Sequence, residues 1–333
     1  MKKTLSLLVM ALLILALTAC GSKSQKDVVS DLKGMLEEMS GYKAQATMTL
    51  QTGEKPLTYN IDVWHKKPSF YRVSLKNSEK DQSQMILRNS EGVFVLTPAL
   101  NKSFRFQSEW PENSSQVYLM ESLISDIIMD DDRTFKAGEN GYVFNTKTNY
   151  QNKNLYQQEI TLDKKNLLPT SVKVMDKDLK VLVEVKFTKK KLNAKFDDGA
   201  FDMERNMQGA LNEVPAMATE KKEFTAVFPE FVPAGTTLFN QVKSKNGDEV
   251  ILTYTGDDQS FTIIQRRAEV APATKMLTMN KGDVVNLGFA FGVLKDKTLT
   301  WSFDGVDYYL ASNDLSEEQM INVASSMTLA QGK

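Results

Sequence analysis

This chain of 333 residues has only one cysteine and one histidine, so it offers a single thiol and a single imidazole for catalysis or metal binding. A Ser-His-Asp or Cys-His site would have to use His65. That residue sits at a strand end between Trp64 and Lys66 and is expected to face solvent. There is no Gly-x-Ser-x-Gly elbow and no glycine-rich phosphate loop. Gly288 and Gly292 stand as an isolated pair in a strand-like run, which close backbone packing explains. Cys20 alone allows no internal disulfide. Asp130-Asp131-Asp132 and Asp197-Asp198 lack the alternating spacing with which a calcium loop gathers its oxygens, so they read as solvated loop charge. The expectation is a protein that is not an enzyme and has no cofactor and no metal.

Charge of one sign is also missing. The formal charge is −1, which argues against a nucleic-acid partner, since such a protein presents a basic face. Lys186, Lys189, Lys190, Lys191 and Lys195 form the densest basic stretch. They fit either a solvated turn or contact with anionic lipid headgroups. Long apolar runs are absent except from Leu5 to Leu17, about a dozen residues, too short for a hydrocarbon core of ~30 Å.

That run is informative by its position. Lys2-Lys3, the apolar stretch and Leu17-Thr18-Ala19-Cys20 follow the order of a secretory signal ending at small residues. Leu-Thr-Ala-Cys resembles a bacterial lipobox. The resemblance implies cleavage before Cys20, lipidation of its thiol (diacylglycerol, palmitate) and anchoring on the extracytoplasmic face of the cytoplasmic membrane. Removing residues 1–19 takes away Lys2 and Lys3 and no acid, so the formal charge falls by two, from −1 to −3.

Residues 20–26 then form a polar tether. Val28, Leu32, Met35, Leu36 and Met39 share one face of an expected helix from about Asp27 to Ser40, capped by Asp27 or Ser30. From Ala44 the apolar period changes to two, and short alternating runs continue to Thr188 as an antiparallel meander. A second helix, capped at Asn113-Ser114-Ser115, carries Val117, Met120, Ile124 and Ile127. The simplest packing lays both helices on the apolar face of the sheet, as a half-open barrel with a helical lid. The regular pattern lapses from Met203 to Lys222. From Phe224 a smaller block of strands, with an Asp304-Gly305 hairpin turn, ends in a helix capped by Asp314 or Ser316. The division is thus signal 1–19, tether 20–26, half-barrel 27–205, linker 206–223 and small α+β unit 224–333.

The stretch from Val63 to Arg72, with Pro68, Phe70 and Arg72, and its continuation from Gln84 to Leu96 resemble the LolA/LolB family signature. Thr161-Leu162-Asp163 through Leu168-Pro169, then Phe187, Asn193 and Phe201, are similar to that family's closing strands. The resemblance implies an α+β fold: a LolA-like antiparallel half-barrel of eleven strands with a helical lid, around a cavity for acyl chains or lipoproteins. The C-terminal stretch from Gly305 to Met327 makes the whole chain similar to the YdcC/GerS-type sporulation and germination lipoproteins of Gram-positive spore-formers. The two-part architecture is also similar to RseB, a sensor. On this likeness Met35, Met39, Met48, Trp64, Phe70, Met85, Phe94, Met120 and Ile124 are candidates to line an acyl cavity, although they fit a filled core as well. Arg72 is the candidate for its mouth. A protein partner in the cell envelope is implied, with an acyl chain, a LolB-type acceptor role or an RseB-like sensor role as the other readings. Cys20→Ala is expected to move the protein from the membrane to the soluble fraction, and retention in the membrane would refute the anchor.

Overall fold

The structure is a computed structural model that describes residues 23–51, 55–79, 82–106, 108–112, 115–213, 225–270, 277–280 and 282–327. The expected signal 1–19, Cys20, the helix caps Asn113 and Ser114, and positions 214–223 of the expected linker lie outside the described residues.

Helix α1, Gln25–Glu38, starts two residues before the expected Asp27. Ser24 is its N-cap: the Asp27 N–H donates to Ser24 Oγ at 3.3 Å, and the Ser24 N–H donates to Asp27 Oδ2 at 3.2 Å. Asp27 thus closes a capping box from the third helical position rather than opening the helix. Val28, Val29 and Leu32 are its buried residues.

The meander follows: β1 Gly41–Leu50, β2 Leu57–Lys66, β3 Phe70–Asn77, β4 Ser83–Asn89, β5 Gly92–Thr97 and β6 Lys102–Phe106. Helix α2, Met120–Met129, is shorter than expected and has no side-chain cap. Ser115 instead donates to Asp126 Oδ1 at 2.7 Å. Then come β7 Thr134–Ala137, β8 Gly141–Lys147, β9 Gln157–Asp163, β10 Pro169–Met175 and β11 Val181–Leu192. These eleven strands form one open antiparallel sheet in which β1 pairs with β11 across the length of the meander. Period-two alternation sends one set of side chains to each face. On the inner face α1 and α2 pack against the sheet, and Leu32, Leu123 and Ile127 are fully buried among inward strand residues such as Val63, Phe144 and Val185.

Two features depart from the sequence reading. Helix α3, Met203–Glu213, occupies the start of the stretch read as patternless. Met203, Met207, Ala210 and Leu211 pack on Met85, Leu87, Phe94 and Leu96, so a second, smaller core sits on the outer face. The strand-like run that holds Gly288 and Gly292 is not one strand but a hairpin of β16 Asp283–Asn286 and β17 Phe291–Lys295. Gly288 supplies the left-handed φ of 87° that its turn requires.

The remaining strands are β12 Thr237–Lys243, β13 Glu249–Thr255, β14 Ser260–Arg267, β15 Leu277–Asn280, β18 Thr298–Phe303 and β19 Val306–Ala311. All of the strands from β12 onward except β15 join in a second antiparallel sheet of order β12-β13-β14-β19-β18-β17-β16. Asp304 and Gly305, at φ 52° and 74°, form the turn between β18 and β19. Helix α4, Glu317–Ser325, is capped by Ser316, with Gln319 completing the box. Asp314, the other expected cap, accepts from Ser260. Strand β15 leaves this sheet and pairs in parallel with β6 of the first, which covers an otherwise open edge. The architecture is the expected α+β one.

A single apolar cluster runs from α1 and the first sheet into the second sheet and α4. Leu32→Ala should therefore cost about 2–5 kcal/mol of unfolding free energy by the usual large-to-small range. Denaturant titration measures it, and a loss under about 1 kcal/mol would mean that α1 is not a structural part of the core.

Candidate functional site

The two sheets meet at the open end of the half-barrel. Leu50 ends β1 there, and the β16–β17 turn is set against it: a Cβ built on Gly288 would lie 3.7 Å from Leu50 Cδ1. Leu287, Phe289 and Ala290 in the turn are buried. Asn286 fastens it. Its Nδ2 donates to Gln116 Oε1 at 2.8 Å and to Tyr118 Oη at 3.2 Å, and its backbone N–H donates to Gln151 Oε1 at 3.2 Å. Gln84, from β4, accepts from the Phe291 N–H at 2.8 Å, and Lys102 pairs with Asp307 at 2.7 Å. Side-chain amides, which both donate and accept, thus stitch loop to strand where neither sheet offers a ladder.

A cavity of about 240 Å³ lies at this junction. Part of its lining is apolar, from Met48, Leu50, Leu155, Leu182, Val183 and Phe289. Another part is uncharged and polar, from Ser115, Gln116, Gln151, Asn286, Asn322 and Ser325. Glu230, exposed, is the only charged residue among the described residues that line it.

Behind the polar part of the lining lies a buried carboxyl. Asp126 on α2 accepts from Ser115 Oγ and from Gln158 Nε2, both at 2.7 Å, and Tyr150 donates to Gln158 Oε1 at 2.5 Å. Among the described residues Ser115, Gln158 and Asp130 are the groups that act on it, and none is a cation. Burial pushes its pKa up to about 6, the two hydrogen bonds oppose that, and Asp130 adds to it.

At another place on the inner face His65 is buried, not solvent-facing as expected. Leu57, Tyr59, Ile61, Val63 and His65 all carry the inward parity of β2. The alternation held this signal, and the strand-end position hid it. His65 stacks on Tyr71 at 4.4 Å between centroids, and its Nδ1 lies 3.2 Å from Phe70 O. Burial lowers its pKa. Tyr42 donates to Glu121 Oε2 at 2.6 Å. None of His65, Tyr71, Tyr42 and Glu121 lines the junction cavity, and Glu121 Oε1 is buried without a hydrogen-bond partner among the described residues, so the group reads as packing between α2 and the sheet.

The candidate cavity residues separate by face. Met39, Met48, Met120 and Ile124 are buried on the inner side, and Met35 packs partly buried beside them. Met48 alone lines the junction cavity. Trp64, Phe70, Met85 and Phe94 have the opposite parity and lie on the outer face. The Trp64 ring is 6.0 Å from that of Phe196, the Phe70 ring is 5.7 Å from that of Phe201, and Met85 and Phe94 lie under α3. Arg72 is also outside. It lies over the Trp64 ring at 4.5 Å, and its Nη1 and Nε donate to Asp62 and Asn206, each at 2.7 Å. A structural ion pair explains it. Sequence reasoning missed Asn286, Asn322 and Ser325, which come to the site only through the second sheet and α4.

The acidic runs are paired locally. Lys147 meets Asp132 and Arg205 meets Asp197, each at 2.5 Å. Among the described residues no group of three or more His, Cys, Asp or Glu is placed to hold a metal ion. In the basic stretch, Lys190 is part-buried and donates to Pro169 O at 3.0 Å.

The chain has relatives among known proteins. The family described as sporulation protein YdcC-like matches residues 1–201. The chain is 50% identical over 330 residues to sporulation protein YdcC of Bacillus subtilis (strain 168), a match that covers 98% of this chain and 97% of that one. Solved structures that resemble it are more distant. The MucA/MucB complex of Pseudomonas aeruginosa matches at 17% identity and TM-score 0.34, over 90% of this chain and 98% of the matched one. A LolA superfamily protein of Nitrosomonas europaea matches at 10% identity and TM-score 0.31, over 55% and 100%.

The buried carboxyl gives a pH test. With a folded pKa near 6 against 3.8 unfolded, Asp126 favours the folded state most when protonated. Its contribution is complete below about pH 4 and is lost as pH rises through 6. Each pH step between the two values is worth about 1.4 kcal/mol, which gives about 3 kcal/mol in all. Asp126→Asn should therefore be more stable than the parent at pH 7.5 and should lose that advantage at pH 4. Equal pH dependence of the two proteins in denaturant titrations would refute the assignment.

Proposed function

Because the chain belongs to the sporulation protein YdcC-like family, we propose that it is a lipid-anchored, non-catalytic envelope protein of sporulation or germination that holds a protein partner or an acyl chain at the mouth of its half-barrel. In this reading residues 27–205, with the rest of α3 packed on their outer face, form the half-barrel, and the unit from 224 onward closes the mouth. The observation that carries the binding role is the junction cavity, with both apolar and uncharged polar residues in its lining, built jointly by the two sheets. That composition is usual for a ligand site: apolar surface for affinity and a few convergent polar groups for orientation. The lone Cys and a buried, aromatic-packed His leave little for catalysis.

The anchor follows from Leu17-Thr18-Ala19-Cys20 and places the protein outside the cytoplasmic membrane. Lys23 is already fixed to the fold, its backbone N–H donating to Tyr142 Oη at 3.1 Å and its ammonium paired with Asp31 at 2.5 Å. Only Cys20, Gly21 and Ser22 are left between lipid and fold. At ~3.5 Å per residue they reach no more than ~10 Å, so the half-barrel works against one membrane and cannot shuttle between two. Glu121, His65 and the two tyrosines serve the lid's packing in this reading.

Deleting the gene should lower the yield of heat-resistant spores or slow their germination. Re-expression of the parent chain should restore it, and the Cys20→Ala chain should not. Normal spores from the deletion strain would overturn the proposal.

A further inference from the structure

Two buried polar atoms on α4 have no hydrogen-bond partner among the described residues: Asn322 Oδ1 and Ser325 Oγ. They lie three residues apart on one helix face, and both residues line the junction cavity. Asn322 is only 7% exposed. A buried acceptor left unpaired costs about 1–3 kcal/mol, so a donor brought into the cavity that reached it would recover that cost.

The chemistry of that donor is narrowed by the rest of the lining. Among the described residues no Lys, Arg or His lines the cavity, so none of them offers a cationic side chain to recognise a phosphate or a carboxylate. The polar part of the lining is amide-rich: Gln116, Gln151, Asn152, Asn154, Asn286 and Asn322. Side-chain amides match the donor and acceptor pair of a peptide group. The rest of the lining is largely apolar, which suits an apolar side chain better than a polyol. At ~30 Å³ per water, 240 Å³ is about eight water volumes. That is room for one or two side chains with their peptide groups, and too little for a pair of acyl chains. Glu230 at the rim adds a negative charge in solvent.

We infer that the junction cavity binds an extended peptide segment of a protein partner, through one apolar side chain seated on Leu50, Val183 and Phe289, a backbone N–H donated to Asn322 Oδ1, and a neighbouring Lys or Arg facing Glu230. This rests on the binding reading above and chooses the protein partner over the acyl chain. α4 then has two duties. It closes the second sheet and it presents the orphan acceptor, so the partner is read by both halves of the chain at once.

The test is a phage-displayed heptapeptide library selected on the immobilised chain from residue 20 onward carrying Cys20→Ala, with the best peptide resynthesised and titrated by fluorescence anisotropy. Enriched sequences should place an apolar residue next to Lys or Arg. Asn322→Leu should weaken the best peptide at least tenfold while raising the thermal midpoint, because it removes an unpaired buried acceptor. A residue of merely structural value would lower that midpoint. Glu230→Lys should weaken basic peptides at least threefold and leave the midpoint unchanged. If Asn322→Leu does not fold, Ser325→Ala carries the same expectation. A library with no such enrichment, or peptides that bind Asn322→Leu as tightly as the parent, would overturn the inference. So would phosphatidylglycerol vesicles or N-acetylglucosamine oligomers that bind in place of peptide and are lost in the same variants. Failure of peptide binding together with a sporulation defect in the deletion strain would remove this assignment and leave the family-based function standing.

Discussion

The seating of the β16–β17 turn against the open end of the half-barrel holds the molecule's two sheets to one core. An open antiparallel sheet curled round two helices buries its middle well but leaves its mouth exposed, because strand ends carry unpaired backbone groups and apolar residues with no facing layer. Here the mouth is met by Leu287, Phe289 and Ala290, and the polar remainder is tied by Asn286 to Gln116, Tyr118 and Gln151. The apolar cluster is continuous across the contact for that reason. The cavity lies where the turn meets the mouth, with Leu287, Gly288 and Phe289 of the turn and Asn322 and Ser325 of α4 in its lining.

Lid and cavity are linked through the same polar groups. Asp126 is on α2, yet its partner Ser115 and, through Gln158, Tyr150 reach the cavity wall. A carboxyl on which no cation among the described residues acts, in a helix that is mostly apolar, makes the lid sensitive to charge in a way that the strand residues beneath it are not. The outer face is held separately. Its apolar residues are covered by α3, Phe196 and Phe201, and Arg72 is held by Asp62, Asn206 and Trp64. The aromatic and methionine residues of the two faces look alike in a linear reading, but only those of one face can meet a ligand at the mouth.

Much of the fold was legible because period is a local property. The strands of the meander, the two inner helices, the Asp304-Gly305 turn and the Ser316 cap all follow from residues within a few positions of each other. Where the reading failed, the local signal was present but masked. His65 keeps the inward parity of Leu57 to Val63, yet its polar side chain at a strand end suggested solvent. Met203, Met207, Ala210 and Leu211 have helical spacing, yet the charged and amide residues between them hid it. Asn286 to Phe291 reads as strand until Gly288 is given its left-handed φ.

Composition and short-range pattern were enough for the α+β class, the alternation that separates the two faces of each strand, the scarcity of catalytic groups and the lipobox-like Leu17-Thr18-Ala19-Cys20. Each is written in neighbouring residues or in residue counts. Which face is inside was settled by packing, since parity divides side chains into two sets without saying which set the helices will cover. Packing also brought Leu50, Gln116, Asn286 and Asn322, spread over some 270 positions of the chain, to one cavity. Their meeting depends on how two sheets dock, and docking is a property of surfaces that no stretch of sequence contains.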